Sequence, residues 1–282
     1  MRDVLVVYKK SSFQLYAASP DAAVQGYMGS GSPDVNVMRL SHQEQVRTLA
    51  AVTEELRRRG VRFETIFRAD LHPITGRDLV VAVGGDGTFL EVSHYVTDAA
   101  LLGVNSDPAG STGFFCTATA DTFAAALDAF DEAPRTSLQR IEMVRDGVPL
   151  PELVLNDVLF AHANPAATSR YRLEAGGRVV THKSSGLLVC TAAGSSAWMY
   201  QEGGALMPLE SPGLQYLSRG VRGERPAFAD TVVIRSLTRQ GTLYVDGPHL
   251  TCECGLGCEV VLRPGRPLEV VGDLAAKRAA YG

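Results

Sequence analysis

One short segment restricts the folds open to this chain more than any other. Residues 80–83 are an apolar, β-branched run, typical of a strand buried in a parallel sheet, and they lead directly into Gly-Gly-Asp-Gly at 84–87. Glycines at such a turn leave backbone N–H groups free to surround a polyphosphate, and Asp86 adds a carboxylate beside it. The pattern is neither a P-loop nor a dinucleotide fingerprint, and a plain tight turn into a helix at 88–96 is the simpler alternative.

The first half of the chain alternates between strand-like and helix-like patterns. A helix is predicted from Ser41, which forms a capping box with Glu44, through Leu56 to a stop at Gly60. A second helix is predicted from its cap, Asp121, through Phe130. The predicted strands are residues 4–8, 61–67, 79–83 and 100–104. This alternation predicts a doubly wound, Rossmann-like parallel sheet. Ligands of such sheets lie beyond the carboxyl ends of the strands, where the Gly-Gly-Asp-Gly turn and Asn105 fall.

The second half of the chain consists mainly of strand-like patterns, with few helical patterns between them. Its predicted strands are residues 141–145, 154–161, 171–175, 186–191, 231–235, 242–245 and 260–263. Short turns such as Asp246-Gly247 connect several of them as hairpins. We therefore predict a nucleotide-binding α/β domain at 1–135 and an antiparallel β-rich, sandwich-like domain at 136–270. Residues 271–282 are predicted to pack on the first domain, with a helix at 273–281.

Residues 11–40 show no clear period, so a functional insertion and a disordered one fit the pattern equally well.

Composition excludes several classes of function. The chain has 282 residues, a net charge of −4 and a pI near 5.9, so no overall positive field attracts nucleic acid or an anionic membrane. No apolar run is long enough to span a bilayer, and the first residues do not resemble a signal peptide. Five cysteines, an odd number, predict reduced thiols and a cytoplasmic location.

Four residues near the end of the chain leave an alternative open. His249, Cys252, Cys254 and Cys258 are residue types that ligate zinc, but their spacing is not that of a standard zinc knuckle. A strand at 250–254 with small alternating residues is the simpler interpretation.

Five sequence islands, in this order, resemble those of the NAD kinase family, which phosphorylates the adenosine ribose 2′-hydroxyl of NAD to give NADP. They are residues 84–88, residues 103–105 with 113–115, residues 155–157, residues 191–198 and, more weakly, residues 245–247. Within the family, the chain is most similar to the divergent branch that includes the animal mitochondrial NAD kinases. The similarity lies in the sequences of residues 103–108 and 183–187 and in the pair Ala197-Trp198.

The resemblance implies a role for particular residues. Asp86 resembles the aspartate that accepts the proton of the 2′-hydroxyl, and Asn156 the asparagine that binds the ribose hydroxyls. The other positions that match nucleotide-binding residues of the family are Gly85, Gly87, Thr88, Asn105, Phe114, Asp157, Lys183, Ser196, Ala197 and Trp198. Among them, Phe114 is expected to flank the adenine, and Trp198 stands where the family commonly has a tyrosine near the nucleotide. ATP with Mg²⁺ is the expected donor, and at least a homodimer is the expected assembly.

Several departures from the family pattern leave alternatives open. Asp157 replaces a glutamate, Ala193 a threonine and Ser185 an aspartate, while Lys183 replaces an arginine and loses its bidentate geometry. The carboxylate missing at Ser185 leaves the choice between NAD and NADH open. The sequence does not distinguish ATP from polyphosphate as donor, or a dimer from a tetramer. A non-catalytic NAD(P)-binding sensor is one alternative function. A lipid kinase of the diacylglycerol or sphingosine type is another, because those enzymes share the Gly-Gly-Asp-Gly-Thr loop.

Overall fold

The computed structural model describes residues 3–279, which divide into two compact units. The first contains the chain up to Thr136 together with the chain from Glu269 onward, and the second contains residues 137–268. Among the described helices, none is both long and apolar enough to cross a bilayer. The two units differ in architecture: the first is mixed α/β, and the second is built almost entirely of antiparallel strands.

The first unit is built on one mainly parallel sheet. Its strands are β1 (Asp3–Tyr8), β2 (Arg62–Phe67), β3 (Leu79–Gly84), β4 (Ala100–Asn105), β5 (Cys116–Thr119), β6 (Arg135–Leu138) and β19 (Leu268–Val271). They lie in the order β2-β1-β3-β4-β19-β6, and β5 pairs with β4. Strand β3 is buried along its whole length, as its uninterrupted apolar sequence predicts. In the register of β3 and β4, Gly84 lies opposite Asn105, so both sites expected at the sheet edge are neighbours.

The helices of the first unit correct two predictions. They are α1 (Ser12–Ala17), α2 (Ala22–Met28), α3 (Pro33–Arg58), α4 (Asp86–Ser93), α5 (Phe123–Asp128) and α7 (Leu274–Ala279). Residues 11–40 are therefore largely helical. The start predicted at Ser41 is wrong, because α3 begins at Pro33, where the side chain of Ser32 accepts the N–H of Val35 and proline occupies the first helical position. Ser41 is an interior residue of this helix.

One further helix start differs from the prediction, and one predicted helix is confirmed. Helix α5 begins at Phe123, with Thr122 rather than Asp121 at its N-cap. Helix α7 is part of the first unit and confirms a helix near the predicted 273–281, although residues 280–281 lie outside the described residues.

The second unit consists of two antiparallel sheets. One has the order β11-β10-β15-β18-β7-β8 and the other β14-β13-β12-β9-β16-β17. The strands are β7 (Ile141–Arg145), β8 (Val148–Val154), β9 (Asp157–His162), β10 (Ser169–Ala175), β11 (Arg178–Ser184), β12 (Leu187–Cys190), β13 (Leu214–Ser218), β14 (Ala227–Ala229), β15 (Val232–Ser236), β16 (Gly241–Val245), β17 (Leu250–Glu253) and β18 (Glu259–Pro264). A short helix, α6 (Trp198–Gln201), follows a 3₁₀ turn at Ala193–Ser196.

One hydrophobic core joins the inner faces of the two sheets. Phe160 of β9 and Tyr171 of β10 meet edge to face, with ring centroids 5.5 Å apart. The core draws on buried residues of both sheets, which is the arrangement of a β-sandwich. The strand predicted at 154–161 is in fact two strands, β8 and β9, separated by Leu155 and Asn156.

The cysteines correct the expectation of reduced thiols throughout. Cys254 and Cys258 form a disulfide, which leaves Cys116, Cys190 and Cys252 as free thiols. Two of the four residues of the zinc alternative are thus joined to each other, and Cys252 belongs to β17, as the strand interpretation predicts.

Candidate functional site

Asp86 is held in one orientation by the backbone of a neighbouring loop. It opens helix α4 directly after the buried strand β3, and its two carboxylate oxygens accept the N–H groups of Phe114 and Phe115, each at 2.9 Å. Charge-assisted bonds of this kind are about twice as strong as neutral ones. Because a carboxylate oxygen has two lone pairs, each oxygen keeps one for a further donor.

Two of the glycines around Asp86, Gly84 and Gly85, are closely approached by neighbouring side chains. A Cβ on Gly84 would collide with the side chain of Thr88, and one on Gly85 would lie 2.6 Å from Ser111 Oγ. A Cβ on Gly87 would meet nothing within 4 Å, so this backbone borders open space. The Thr88 hydroxyl is buried against Gly84 and, within the part of the chain that the structure describes, has no hydrogen-bond partner.

Asn105 shapes the loop that carries Phe114. Its Nδ2 donates to the carbonyl of Ser111 at 3.2 Å, and its Oδ1 accepts the N–H of Asp107 at 3.0 Å. Gly113 has a φ of +55°, and a side chain there would also collide with the Asn105 amide. Both polar ends of the amide are thus used inside the loop.

The C-terminal helix of the first unit fixes the same loop from its other side. Lys277 Nζ donates to the carbonyl of Gly113 and, at 2.7 Å, to that of Cys116. The guanidinium carbon of Arg278 lies 5.2 Å from the centroid of the Phe114 ring, within the range of a cation–π contact. Burial lowers the pKa of Lys277, while the nearby Cys116 and Asp86 act in the opposite direction.

In the second unit, Asp246 organises the segment of Asn156 and Asp157. Its carboxylate accepts three backbone N–H groups, those of Leu155 at 2.8 Å, Asn156 at 2.7 Å and Asp157 at 2.9 Å. Asp246 has a φ of +47°, as expected for the hairpin turn between β16 and β17. The hairpin interpretation is therefore confirmed, and the same turn also holds the predicted ribose-binding segment.

The loop that begins at Thr191 packs on the same segment. Thr191 Oγ1 donates to the carbonyl of Leu155 at 2.5 Å, and its N–H donates to that of Asn156 at 2.9 Å. Gly194 approaches the backbone of Asn156 so closely that a Cβ would lie 2.8 Å from Asn156 Cα. Asn156 Oδ1 is buried and has no partner within residues 3–279.

Asp157 lines a cavity of about 530 Å³ in the second unit. Burial, and then the negative charge of Asp246, raise the pKa of Asp157 to about 7. Other residues that line the cavity are Leu159, Ala161, His162, Ser185, Trp198, Arg219 and Tyr244.

Trp198 is fixed at the cavity by two charged neighbours. Its Nε1 donates to Glu202 at 3.2 Å, and the guanidinium of Arg219 lies 4.4 Å above its ring. Arg219 and Glu202 also form an ion pair at 2.7 Å. Ser196 and Ala197 immediately precede Trp198, with Ser196 exposed.

Lys183 has a different location from the other predicted residues of this unit. It is exposed on β11, an edge strand of the sheet that does not contain Asp157. Of the described residues it is Ser185, not Lys183, that lines the cavity.

Comparisons with known proteins support one family. Residues 23–133 match the model of the ATP-NAD kinase N-terminal domain. The chain is 35% identical over 246 residues to a probable NADH kinase of Oryza sativa subsp. japonica, which covers 74% of both chains. The chain belongs to the NAD kinase family.

Two further comparisons agree with this family of phosphotransferases. An NADH kinase of Arabidopsis thaliana is 33% identical over 278 residues, covering 76% of this chain and 79% of the relative. The crystal structure of an NAD kinase from Archaeoglobus fulgidus in complex with ATP has a TM-score of 0.70 at 18% identity, covering 99% of this chain and 97% of that chain. At that identity the similarity concerns the fold.

The structure groups the motif residues of this NAD kinase family member by unit. Gly85, Asp86, Asn105 and Phe114 meet at one edge of the parallel sheet. Asn156 meets the loop that precedes Trp198, and Asp157 and Trp198 line the same cavity. Sequence reasoning missed Lys277, Glu202 and Arg219, for which no local motif exists; Asp246 carried a signal only as the weakest island.

Proposed function

We propose that this protein transfers the γ-phosphoryl group of ATP to the 2′-hydroxyl of the adenosine ribose of NAD, giving NADP. The observation that carries the proposal is the Asp86 carboxylate, held by two backbone N–H groups at the start of a helix that follows the glycine-rich turn. Membership of a phosphotransferase family supports it.

Each residue at this turn has a task in the proposed reaction. Asp86 accepts the proton as the 2′-oxygen attacks the γ-phosphorus and the bond to the β–γ bridging oxygen breaks, which releases ADP. A positioned base contributes about 10²- to 10⁴-fold. The backbones of Gly85 and Gly87, at the positive end of α4, are suited to hold phosphate oxygens. The remaining acceleration is assigned to alignment and to charge neutralisation.

Mg²⁺ is proposed to arrive as part of the ATP complex. Among residues 3–279, no three His, Cys, Asp or Glu side chains stand together as a metal cage. Mg²⁺ commonly keeps several waters and is held through substrate phosphates, so the donor set around Asp86 suits a substrate-borne ion better than a resident one.

The acceptor is proposed to contact Asn156 and Asp157 in the second unit. Asn156 Oδ1 is buried without a partner among the described residues, so a ligand hydroxyl would satisfy it. The two plant relatives are named as NADH kinases, so NADH is proposed as an acceptor beside NAD. Kinship with the animal mitochondrial branch, a cytoplasmic location and a homo-oligomer of at least two chains remain predictions.

The test is NADP(H) formation by the purified protein with Mg²⁺ and ATP, using NAD and NADH separately. Asp86→Asn is the matched variant, since it keeps shape and removes the basic carboxylate. We expect wild-type turnover and a loss of at least 100-fold in Asp86→Asn, with acceptor binding retained. Equal turnover of both proteins would remove Asp86 as the base. Dinucleotide binding without turnover with any donor, polyphosphate included, would favour the sensor.

A further inference from the structure

Lys9 is a partly buried cation without a counterion. It directly follows strand β1, and its side chain is largely withdrawn from solvent. Within residues 3–279 its ammonium has no carboxylate within 4.0 Å and no hydrogen-bond partner. Lys10, the next residue, is exposed and lies over the ring of Phe67 at 4.5 Å. A buried charge is costly unless it is paired, so the surroundings of Lys9 call for an anion.

The register of the sheet places Lys9 beside the glycine-rich turn. Tyr8 pairs with Val83 in the parallel ladder of β1 and β3, so the next residues along, Lys9 and Gly84, lie at the same level of the sheet. Gly84 is the last residue of β3, and Gly85 and Asp86 follow it.

Two groups from neighbouring strands act electrostatically on the Lys9 ammonium. The ammonium interacts with Asp107, which follows β4, and with Cys116, the first residue of β5. Both lie on the far side of β3 from β1, because the strand order is β1-β3-β4 and β5 pairs with β4. The Lys9 ammonium is therefore influenced by groups on strands beyond β3, while its backbone lies level with Gly84 at the carboxyl end of β3.

Nearby groups do not supply the missing anion. Arg68 is a second cation close to Lys9, and it already forms an ion pair with Glu91 at 3.0 Å. Burial, and then the charge of Arg68, lower the pKa of Lys9. The Asp107 carboxylate accepts the N–H of Gly110 at 3.1 Å and lies beyond ion-pair distance of Lys9.

We propose that Lys9 binds the terminal phosphates of the phosphoryl donor at the Gly-Gly-Asp-Gly turn. The inference rests on the proposed function and assigns to its donor site a residue outside the sequence islands. An ammonium is a compact point charge that suits a polyphosphate beside bare backbone N–H groups. AMP lacks the β- and γ-phosphates, so under this proposal it makes no contact with Lys9.

The test is calorimetric titration of the full-length protein with ATP and Mg²⁺, and with AMP. Lys9→Met removes the charge and keeps the length, Lys9→Arg restores a charge, and Lys10→Met makes the same change at an exposed lysine. Loss of one charge-assisted contact predicts a Kd for ATP raised roughly 10- to 100-fold in Lys9→Met. We expect an unchanged Kd for AMP, most of the ATP affinity in Lys9→Arg, and all of it in Lys10→Met.

Several outcomes would overturn the inference. They are an unchanged ATP Kd in Lys9→Met, an equal weakening of ATP and AMP, or the same weakening in Lys10→Met. If Lys9→Met does not fold, Lys9→Gln takes its place in the same comparison. If the wild type binds tripolyphosphate but not ATP, the donor is an inorganic polyphosphate and the comparison is made with tripolyphosphate. If the wild type binds neither ligand, the inference is contradicted.

The proposed function is judged separately in the same preparations. Suppose that the wild type binds ATP, that Lys9→Met weakens this binding, and that the wild type forms no NADP(H). This result would contradict the kinase function and support the phosphate contact. If Lys9→Met forms NADP(H) as fast as the wild type, with the same KM for ATP, the kinase function is supported and Lys9 is not part of its donor site.

Discussion

Lys277 donates a hydrogen bond to the carbonyl oxygen of Cys116 at 2.7 Å, across 161 residues of sequence. The same ammonium donates to the carbonyl of Gly113. Gly113 and Cys116 flank Phe114 and Phe115, whose N–H groups donate to Asp86, so Lys277 binds on both sides of this pair. The C-terminal helix thus holds the loop that orients Asp86, and the Lys277 ammonium also interacts electrostatically with Asp86. Lys277 is a positioning residue in this arrangement.

We expect Lys277→Met to lower kcat about 10-fold, because a lost charge-assisted hydrogen bond is equivalent to about 1.5 kcal/mol or more. The KM for ATP should change little, since Lys277 is occupied by carbonyl groups. The second readout is hydrogen exchange at the amides of Phe114 and Phe115, which should become faster. Lys277→Arg should recover part of kcat, and Lys10→Met is the matched control. Unchanged exchange at both amides would show that Lys277 does not hold this loop.

A second prediction concerns stability and pH at Asp157. Its pKa in the folded protein is about 7, above the ordinary 3.8, so the folded state retains a proton that the unfolded chain releases. Its contribution is therefore complete below about pH 4 and is lost as the pH rises to 7. At about 1.4 kcal/mol for each pKa unit, the loss reaches roughly 4 kcal/mol at most.

We expect Asp157→Asn to remove most of this fall. Urea unfolding of wild type and variant at pH 5 and pH 8 measures it, with the exposed Asp230→Asn as the control. A wild type whose midpoint falls no further than that of Asp157→Asn would refute the elevated pKa.

A third prediction follows from the three N–H groups that converge on Asp246. Asp246→Asn turns an amide NH₂ toward one of them, so a donor faces a donor. We expect the free energy of unfolding to fall by about 1.5–3 kcal/mol, and the pKa of Asp157 to fall because a neighbouring negative charge is gone. Chemical denaturation gives the first quantity, and the carboxyl ¹³C shift of Asp157 against pH gives the second. An unaltered Asp157 titration would show that burial alone raises its pKa.

Buried strands were the most predictable part of the fold. Strand β3 has an unbroken apolar sequence because both of its faces are covered, and the prediction at 79–83 is confirmed within one residue. The helices of residues 11–40 were not predictable in the same way. Helices α1 and α2 bury no residue, so they carry no apolar period, and their N-caps Ser11 and Asp21 are common residues in any loop.

The residues of the candidate site also divide into those that the sequence predicts and those that it does not. Asp86 and Asn156 lie in local motifs that a single sequence displays. Asp246 and Lys277 act through bonds to backbone groups about 90 and 161 residues away, and a backbone partner leaves no pattern in the side chains. Such residues become visible only when the fold brings the segments together.

A last prediction concerns Gly194, whose backbone lies against that of Asn156. A methyl group at this position would overlap the Asn156 carbonyl, and because the obstacle is backbone, it cannot rotate away. We expect Gly194→Ala to destabilise the protein by about 1–3 kcal/mol. The KM for NAD or NADH should rise, since the displaced segment carries the proposed ribose-binding residue. Gly213→Ala is the matched control, because its nearest neighbour would be 3.9 Å from the new Cβ. Denaturation midpoints and acceptor KM values measured for both variants give the answer, and equal values for the two would mean that the loop yields without disturbing Asn156.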